Sequence, residues 1–254
     1  MSLVKSIGKQ KVNLDFNKDF INLFTQKIKQ KDIQFINQTL EDLHAADVAD
    51  LIENLDTETR NKLIEIEAFN IEPEIFIELN ESIQSEVLQL LSIDSLIKII
   101  KRLESDNAIK ILENLSKEVK EKVLEKLPPK DKFLLQEGLS YPEDSAARIM
   151  QREFTAIPSN WSVGQTIDYL RENKDLPEEF LEIFIVDNEF KPIGSVPSSK
   201  VLRTPRETKM QSIMNESQLT IPVEMDREEV ANMFENYNLN SACVVDKNLS
   251  LIHI

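Results

Sequence analysis

Residues 87–127 read VLQLLSIDSLIKIIKRLESDNAIKILENLSKEVKEKVLEKL, and their spacing decides the first half of the fold. Leu91, Leu103, Leu115 and Leu127 stand twelve residues apart, and Leu43, Leu55 and Leu79 carry the same phase back toward the N-terminus. Glu67 alone breaks the series. An apolar pair precedes most of these positions: Leu51-Ile52, Leu63-Ile64, Ile75-Phe76, Val87-Leu88, Ile99-Ile100, Ile111-Leu112 and Val123-Leu124. Residues four and three places before a leucine share its helical face, so each unit predicts a short amphipathic helix ending near that leucine. A turn or cap residue usually follows, as at Asp56, Asn80, Ser92, Ser116 and Pro128. So short a period with built-in stops specifies stacked helices, not one long rod.

Working outward, weaker helical patterns cover residues 16–28 (Phe16, Phe20, Leu23, Phe24, Ile28) and 33–40. Glycine is almost absent before Gly138, and β-branched runs at strand spacing are missing. Residues 16–138 therefore read as an all-α, right-handed stack of hairpins, two beats per hairpin, each burying its face on the next. Residues 1–15 are polar and read as a frayed tail.

Beyond Pro128-Pro129 the pattern changes. Residues 139–148 form a connector, and a second repeat follows it. Ile149-Met150 recurs as Ile213-Met214, and Thr155-Ala156-Ile157-Pro158 as Leu219-Thr220-Ile221-Pro222, both 64 residues on. Each copy continues into a helix (162–172 and 226–237) and then an apolar strand ending in aspartate. These strands, Ile183-Phe184-Ile185-Val186-Asp187 and Ala242-Cys243-Val244-Val245-Asp246, are offset by 59, so the first copy holds five extra residues, placed in the loop 173–179. A second strand follows at 192–196, and by the same offset His253 takes the place of Gly194. We read 149–210 as the first copy and 211–254 as an incomplete second one, in a sequence cut from a longer protein.

Bulk properties narrow the function. A net charge of −15 argues against nucleic-acid binding, which needs a basic patch, and is compatible with divalent cations. The single cysteine, Cys243, lies in an apolar run and reads as packing in a reducing compartment. No apolar run approaches the roughly 20 residues that span a bilayer, and no signal peptide is visible, so the chain as given reads as cytoplasmic.

Two motifs resemble one family. Leu43-His44-Ala45-Ala46-Asp47-Val48-Ala49-Asp50-Leu51-Ile52-Glu53-Asn54-Leu55 resembles the opening of the cytosolic N domain of MgtE-type magnesium transporters. The tandem after Met150 resembles a pair of CBS domains, with Tyr141-Pro142-Glu143-Asp144-Ser145-Ala146-Ala147-Arg148-Ile149-Met150 as the junction. The resemblance implies an α plus α/β fold: a superhelical hairpin stack followed by a CBS pair whose second copy is truncated. It implies a non-enzymatic regulatory module on the cytosolic face of the membrane, homodimeric through its CBS domains and attached to a transmembrane pore domain. In the family, magnesium ions held between acidic N-domain and CBS surfaces favour a closed state, because carboxylates brought together repel unless a divalent ion bridges them.

The resemblance points to Glu74, Asp106, Glu224 and Asp226 as ligands of a weak regulatory Mg2+. Each has an ordinary alternative. Asp106 and Glu74 suit the first turn of a helix. Asp226 suits an N-cap, with Glu229 completing a capping box. Other acids of the family are replaced here by Lys110, Lys200, Thr204, Pro205, Asn236 and Asn238, which implies reduced or rearranged sensing. Lys200 also stands where CBS pairs usually carry the aspartate that holds an adenosine ribose. Trp161 could stack a base, although packing is the simpler role. No Gly-rich phosphate loop and no Cys/His constellation supports catalysis, and His44 reads as a capping or surface residue. The rival expectation is a free-standing CBS and helical-repeat protein binding a partner protein or an adenosine nucleotide.

Overall fold

The computed structural model describes residues 16–67, 72–177, 179–216, 219–248 and 250–253. The tail expected at 1–15 lies outside them. The chain divides into two compact units, one comprising Met1–Leu103 with Lys110–Lys132, the other Glu104–Ile109 with Phe133–Ile254.

The first unit realises one helix per twelve-residue beat. Its helices are α1 (Lys18–Lys29), α2 (Ile33–Glu41), α3 (Ala45–Glu53), α4 (Thr57–Glu67), α5 (Pro73–Glu78), α6 (Glu81–Leu90), α7 (Ile93–Ile100), the end of α8 (Ser105–Glu113), α9 (Lys117–Lys126) and the start of α10 (Pro129–Ser140). Helix α3 packs on α5, α4 on α6 and α7 on α9, so alternate helices form the layers. The paired apolar positions are buried, with Leu63, Val87, Ile111, Leu112 and Val123 fully enclosed. Leu55, Leu79, Leu91, Leu115 and Leu127 lie just past a helix end and are also buried.

The stops work by capping. Asn80 Oδ1 accepts from Ile83 N at 3.0 Å, Ser92 Oγ from Ser95 N at 3.1 Å, and Ser116 Oγ from Val119 N at 3.4 Å. Asp56 accepts from both the hydroxyl and the amide of Thr59, which hold its carboxyl below the usual range. His44 is the N-cap of α3, its Nδ1 accepting from Ala46 N at 3.3 Å. At the other end of α3, the buried Arg60 donates to Leu55 O and to Ile52 O, which also accepts from Leu55 N.

The second unit contains the two repeats. The first has β1 (Ala156–Pro158), α12 (Val163–Glu172), β2 (Glu182–Val186), β3 (Pro192–Pro197) and α13 (Ser198–Leu202). The second has β4 (Thr220–Pro222), α14 (Arg227–Tyr237), β5 (Cys243–Val245) and β6 (Leu251–His253). Each makes a three-stranded sheet with a parallel pair followed by an antiparallel one. Their registers match: Ile185 faces Gly194 and Val244 faces His253, and each sheet shifts register at the next residue. The aspartates closing β2 and β5 shape the hairpins. Asp187 Oδ1 accepts from Glu189 N and Lys191 N, and Asp246 Oδ1 from Asn248 N and Ser250 N. The longer helix-to-strand loop of the first repeat spans 173–181, against 238–242 in the second.

The lead segments are exchanged. Met210 N donates to Trp161 O and Val163 N to Thr208 O; 64 residues apart, Ala146 N donates to Met225 O and Arg227 N to Asp144 O. Ser162 bridges Lys209 just as Asp226 bridges Ser145. Met210, Ile213 and Met214 therefore pack in the first repeat's core. The short helix α11 (Ala146–Ile149) places Ala146 and Ala147, with Met150, in the second repeat's core. Phe184, Val186, Cys243 and Leu251 form a further cluster drawn from both sheets.

Three substitutions test this packing. Leu112→Ala is expected to lower unfolding free energy by about 2–5 kcal/mol, while Leu90→Ala, on a partly exposed side chain, stays within about 1 kcal/mol; denaturant melts measure both. Met150→Ala is expected to raise amide exchange in β4–β6 before β1–β3, although Met150 leads into β1 in sequence.

Candidate metal-sensing residues and the cleft between the repeats

The four carboxylates expected to hold magnesium fall at three places. Glu74 is exposed in the first turn of α5, behind Pro73 at N1, and belongs to the first unit. Asp106 is half-buried in the first turn of α8, in the part of that helix assigned to the second unit. Glu224 and Asp226 are exposed neighbours in the turn between β4 and α14. Among the described residues, no group of three or more His, Cys, Asp or Glu side chains gathers as a metal site.

Two of these carboxylates have structural partners. Glu224 pairs with Lys247 at 3.1 Å. Asp226 is the N-cap of α14, but its Oδ1 accepts from Glu228 N at 2.8 Å, one residue short of the amide that a capping box engages. The capping box forms in the first repeat instead, where Ser162 and Gln165 exchange bonds at the start of α12.

The replaced acids also have local explanations. Asn238 closes α14 in the left-handed conformation (φ 49°), a position asparagine tolerates better than most residues. Lys200 donates to Ile213 O at 2.6 Å, and Thr204 Oγ1 to Lys200 O at 2.7 Å. Lys110 is exposed in the last turn of α8, one turn after Asp106. Trp161 sits edge-on to Tyr169 with ring centroids 5.3 Å apart, and it packs on the first repeat's core. Cys243 is fully buried, and desolvation pushes its thiol far above the ordinary value, so it packs and does not react.

Sequence reading missed a polar framework around the start of α8. Glu153 accepts from Ser105 N and from Ser105 Oγ, at 3.3 and 2.9 Å, and Ser105 Oγ accepts from Arg152 N at 2.9 Å. The Arg152 side chain is buried, and its guanidinium nitrogens make no hydrogen bond to the described residues. Glu137 is its ion-pair partner at 3.9 Å. A cleft of about 530 Å3 lies between the two repeats, and sequence reading did not identify its lining, which includes Glu182, Ser195, Asn215, Glu216, Asn238 and Asn240. The asparagines of 236–240 were a visible signal, yet nothing in the sequence paired them with residues of β2 and β3.

With this geometry in place, known proteins locate the chain. Residues 43–144 match the family model described as the MgtE intracellular N domain. It is 27% identical over 120 residues to the magnesium transporter MgtE of Enterococcus faecalis and 25% identical over 116 residues to that of Bacillus subtilis. Those alignments cover 47% and 46% of this chain and 26% of each relative, so the match spans about a quarter of the relatives' length. Two solved structures share the fold almost end to end. One is the cytosolic domain of the Mg2+ channel MgtE in complex with ATP, with a TM-score of 0.81, 22% identity, and 90% of this chain and 93% of that one covered. The other is the soluble part of a magnesium transporter, with a TM-score of 0.78, 22% identity and 92% of each chain covered. The expected order, a helical stack and then paired sheet repeats, is the MgtE cytosolic architecture. Among the described residues no helix is long and apolar enough to cross a membrane.

Asp226 can be dissected by its cap. Asp226→Asn keeps a capping oxygen and is expected to leave stability within a few tenths of a kcal/mol, whereas Asp226→Ala costs about 1 kcal/mol in chemical denaturation. Equal losses in both variants would show that the charge, not the cap, matters there.

Proposed function

We propose that this chain is the cytosolic regulatory part of an MgtE-type magnesium transporter. The observation that carries the reading is the coincidence of an MgtE N domain at 43–144 with the MgtE cytosolic fold across 90% of the chain. The parts are an N domain over 16–138, a connector over 139–148, and CBS-type repeats over 149–210 and 211–254. On this reading the chain works at the cytosolic face of the membrane, pairs with a second copy through its CBS-type repeats, and biases a transmembrane pore domain of the same transporter. A native gene encoding apolar segments of roughly 20 residues is a requirement of the reading.

Magnesium is the proposed effector, with Glu74, Asp106, Glu224 and Asp226 as its carboxylates. They form no ready-made cage, and Glu224 and Asp226 already have partners. Such residues suit an ion that keeps most of its water and is held loosely through it. The ion acts by screening: acidic surfaces that repel at low cation come to tolerate approach when it is present, which shifts a two-state equilibrium by its differential affinity. Lys110, Asn236 and Asn238 lower the acidic charge, so the response should be weak and in the millimolar range.

The second reading is a free-standing protein whose CBS-type repeats bind an adenosine nucleotide, favoured by the ATP bound to a similarly folded neighbour. Against it, Lys200 occupies the expected ribose position and is engaged with Ile213 O.

Limited proteolysis of the connector at 139–145, across a magnesium titration at constant ionic strength, tests the sensing. Cleavage should slow as magnesium rises into the millimolar range, and Lys110→Asp should lower the midpoint about ten-fold, as expected for replacing a like charge by a ligand. A cleavage rate that ignores magnesium in both proteins sinks the proposal.

A further inference from the structure

The connector leaves the end of α10 and returns to the sheet repeats through residues 151–155, so Glu137 and Arg152 stand at the two ends of one loop. The middle of that loop is docked. Ala146 N donates to Met225 O at 2.7 Å and Ala147 N to Val223 O at 3.1 Å, and Asp144 pairs with Arg227 at 3.0 Å. All of these residues belong to the second unit. The base of the loop is where the bonding is incomplete.

The Arg152 side chain is 1% exposed, and its Nε, Nη1 and Nη2 make no hydrogen bond among the described residues. Of the two carboxylates beside it, Glu153 is engaged elsewhere, since its Oε2 accepts from Ser105 N, Ser105 Oγ and Arg152 N. Glu137 stands at 3.9 Å, within electrostatic range but beyond a hydrogen bond, and its side chain is 35% exposed. The carboxylate therefore keeps water while the guanidinium has lost it. Such a charge bears the desolvation cost of a buried ion pair without the bonds that offset it.

One half of this pair is fixed and the other is movable. Arg152 N is held by Ser105 Oγ at 2.9 Å, and Met150, two residues earlier, packs in the second repeat's core. The guanidinium lies against Gly138, where a Cβ would stand 2.8 Å from Nη1. Glu137, by contrast, reaches into solvent from the last turn of α10. An approach of about 1 Å by its side chain would make a charge-assisted pair, for which N···O is usually about 2.7–2.9 Å.

We propose that Glu137 and Arg152 form a two-position clasp at the base of the connector, apart in this structure and hydrogen-bonded when Glu137 turns inward. Closing it joins the ends of the loop and steadies the docked residues 144–147. The inference rests on the reading of the chain as a regulatory module, in which magnesium favours the closed clasp. Amide exchange at Ala146 and Ala147, together with urea unfolding, tests it on the full chain for wild type, Arg152→Met and Glu137→Ala, with and without magnesium chloride. Methionine keeps much of the apolar packing and removes the charge. Without magnesium, both variants should exchange about two-fold faster at these amides, the factor for losing one of two equally populated positions. Magnesium should slow exchange about ten-fold in wild type, the scale of one charge-assisted hydrogen bond, and leave both variants unchanged. Arg152→Met should meanwhile keep or raise the urea midpoint, because it removes an unbonded buried charge. A side chain that merely fills space would move stability and exchange in the same direction. A lowered midpoint in Arg152→Met, or wild-type exchange in both variants, overturns the inference. Magnesium slowing all three proteins equally overturns the clasp and leaves the magnesium reading standing. Faster exchange in both variants, with magnesium affecting no protein, upholds the clasp and tells against the magnesium reading alone.

Discussion

The hydrogen bonds that Ala146 N and Met210 N donate to Met225 O and Trp161 O stitch each sheet repeat to the lead segment of the other. The apolar consequence is larger than the bonds themselves. Met150 and two alanines close the core of the second repeat, and Met210, Ile213 and Met214 close that of the first. A repeat deprived of the other's lead segment would expose a hole in a sheet of only three strands, too few to compensate. The two repeats must therefore fold together. Gly194 shows how tightly the exchange is packed: a Cβ there would lie 2.7 Å from Asn215 O and 2.9 Å from Met214 Sδ.

The same unit tolerates one expensive feature. The buried Arg152 guanidinium has no hydrogen-bond acceptor among the described residues and faces Glu137 across 3.9 Å, and desolvation pulls its pKa down. A charge so placed costs stability unless its surroundings hold it in register. Those surroundings are rigid. Gly138 leaves room that a Cβ would take from the guanidinium, and Arg152 N and Glu153 are tied to Ser105 at the start of α8. The segment following Met150 is thus anchored on both sides, by apolar packing at Met150 and by polar contacts at 152–153.

Most of the scaffold was legible in the sequence because it is periodic. A twelve-residue beat fixes helix count, apolar faces and stops at once, and Asn80, Ser92 and Ser116 cap where the beat places them. The offsets of 64 and 59 likewise fixed the strands and their register, down to His253 facing Val244 as Gly194 faces Ile185. The exchange of lead segments was not legible, since a repeat offset says which residues correspond and not which copy they pack in. Nor was the geometry at Asp226: its reach to Glu228 N depends on a side-chain rotamer that S/T/D-x-x-E spacing does not specify. The lining of the cleft was illegible for a similar reason, because Glu182, Ser195, Glu216 and Asn240 meet only through tertiary packing.

What separates scaffold from switch is how each carboxylate is occupied. In Asp56, Asp187 and Asp246 the side chain accepts from two nearby amide or hydroxyl groups, so its charge shapes a helix start or a hairpin. Glu74 and Glu216 are exposed and show no such local use among the described residues. Asp226 and Glu224 stand between these cases, since an ion would have to compete with a cap and with Lys247. On the proposed reading, competition of this kind would lower affinity without excluding an ion, because the partners are exposed and the ion pair is worth little in water. Carboxylates occupied in this way suit, on that reading, an abundant cation held loosely through its water, which a chain with a net charge of −15 attracts without a preformed cage.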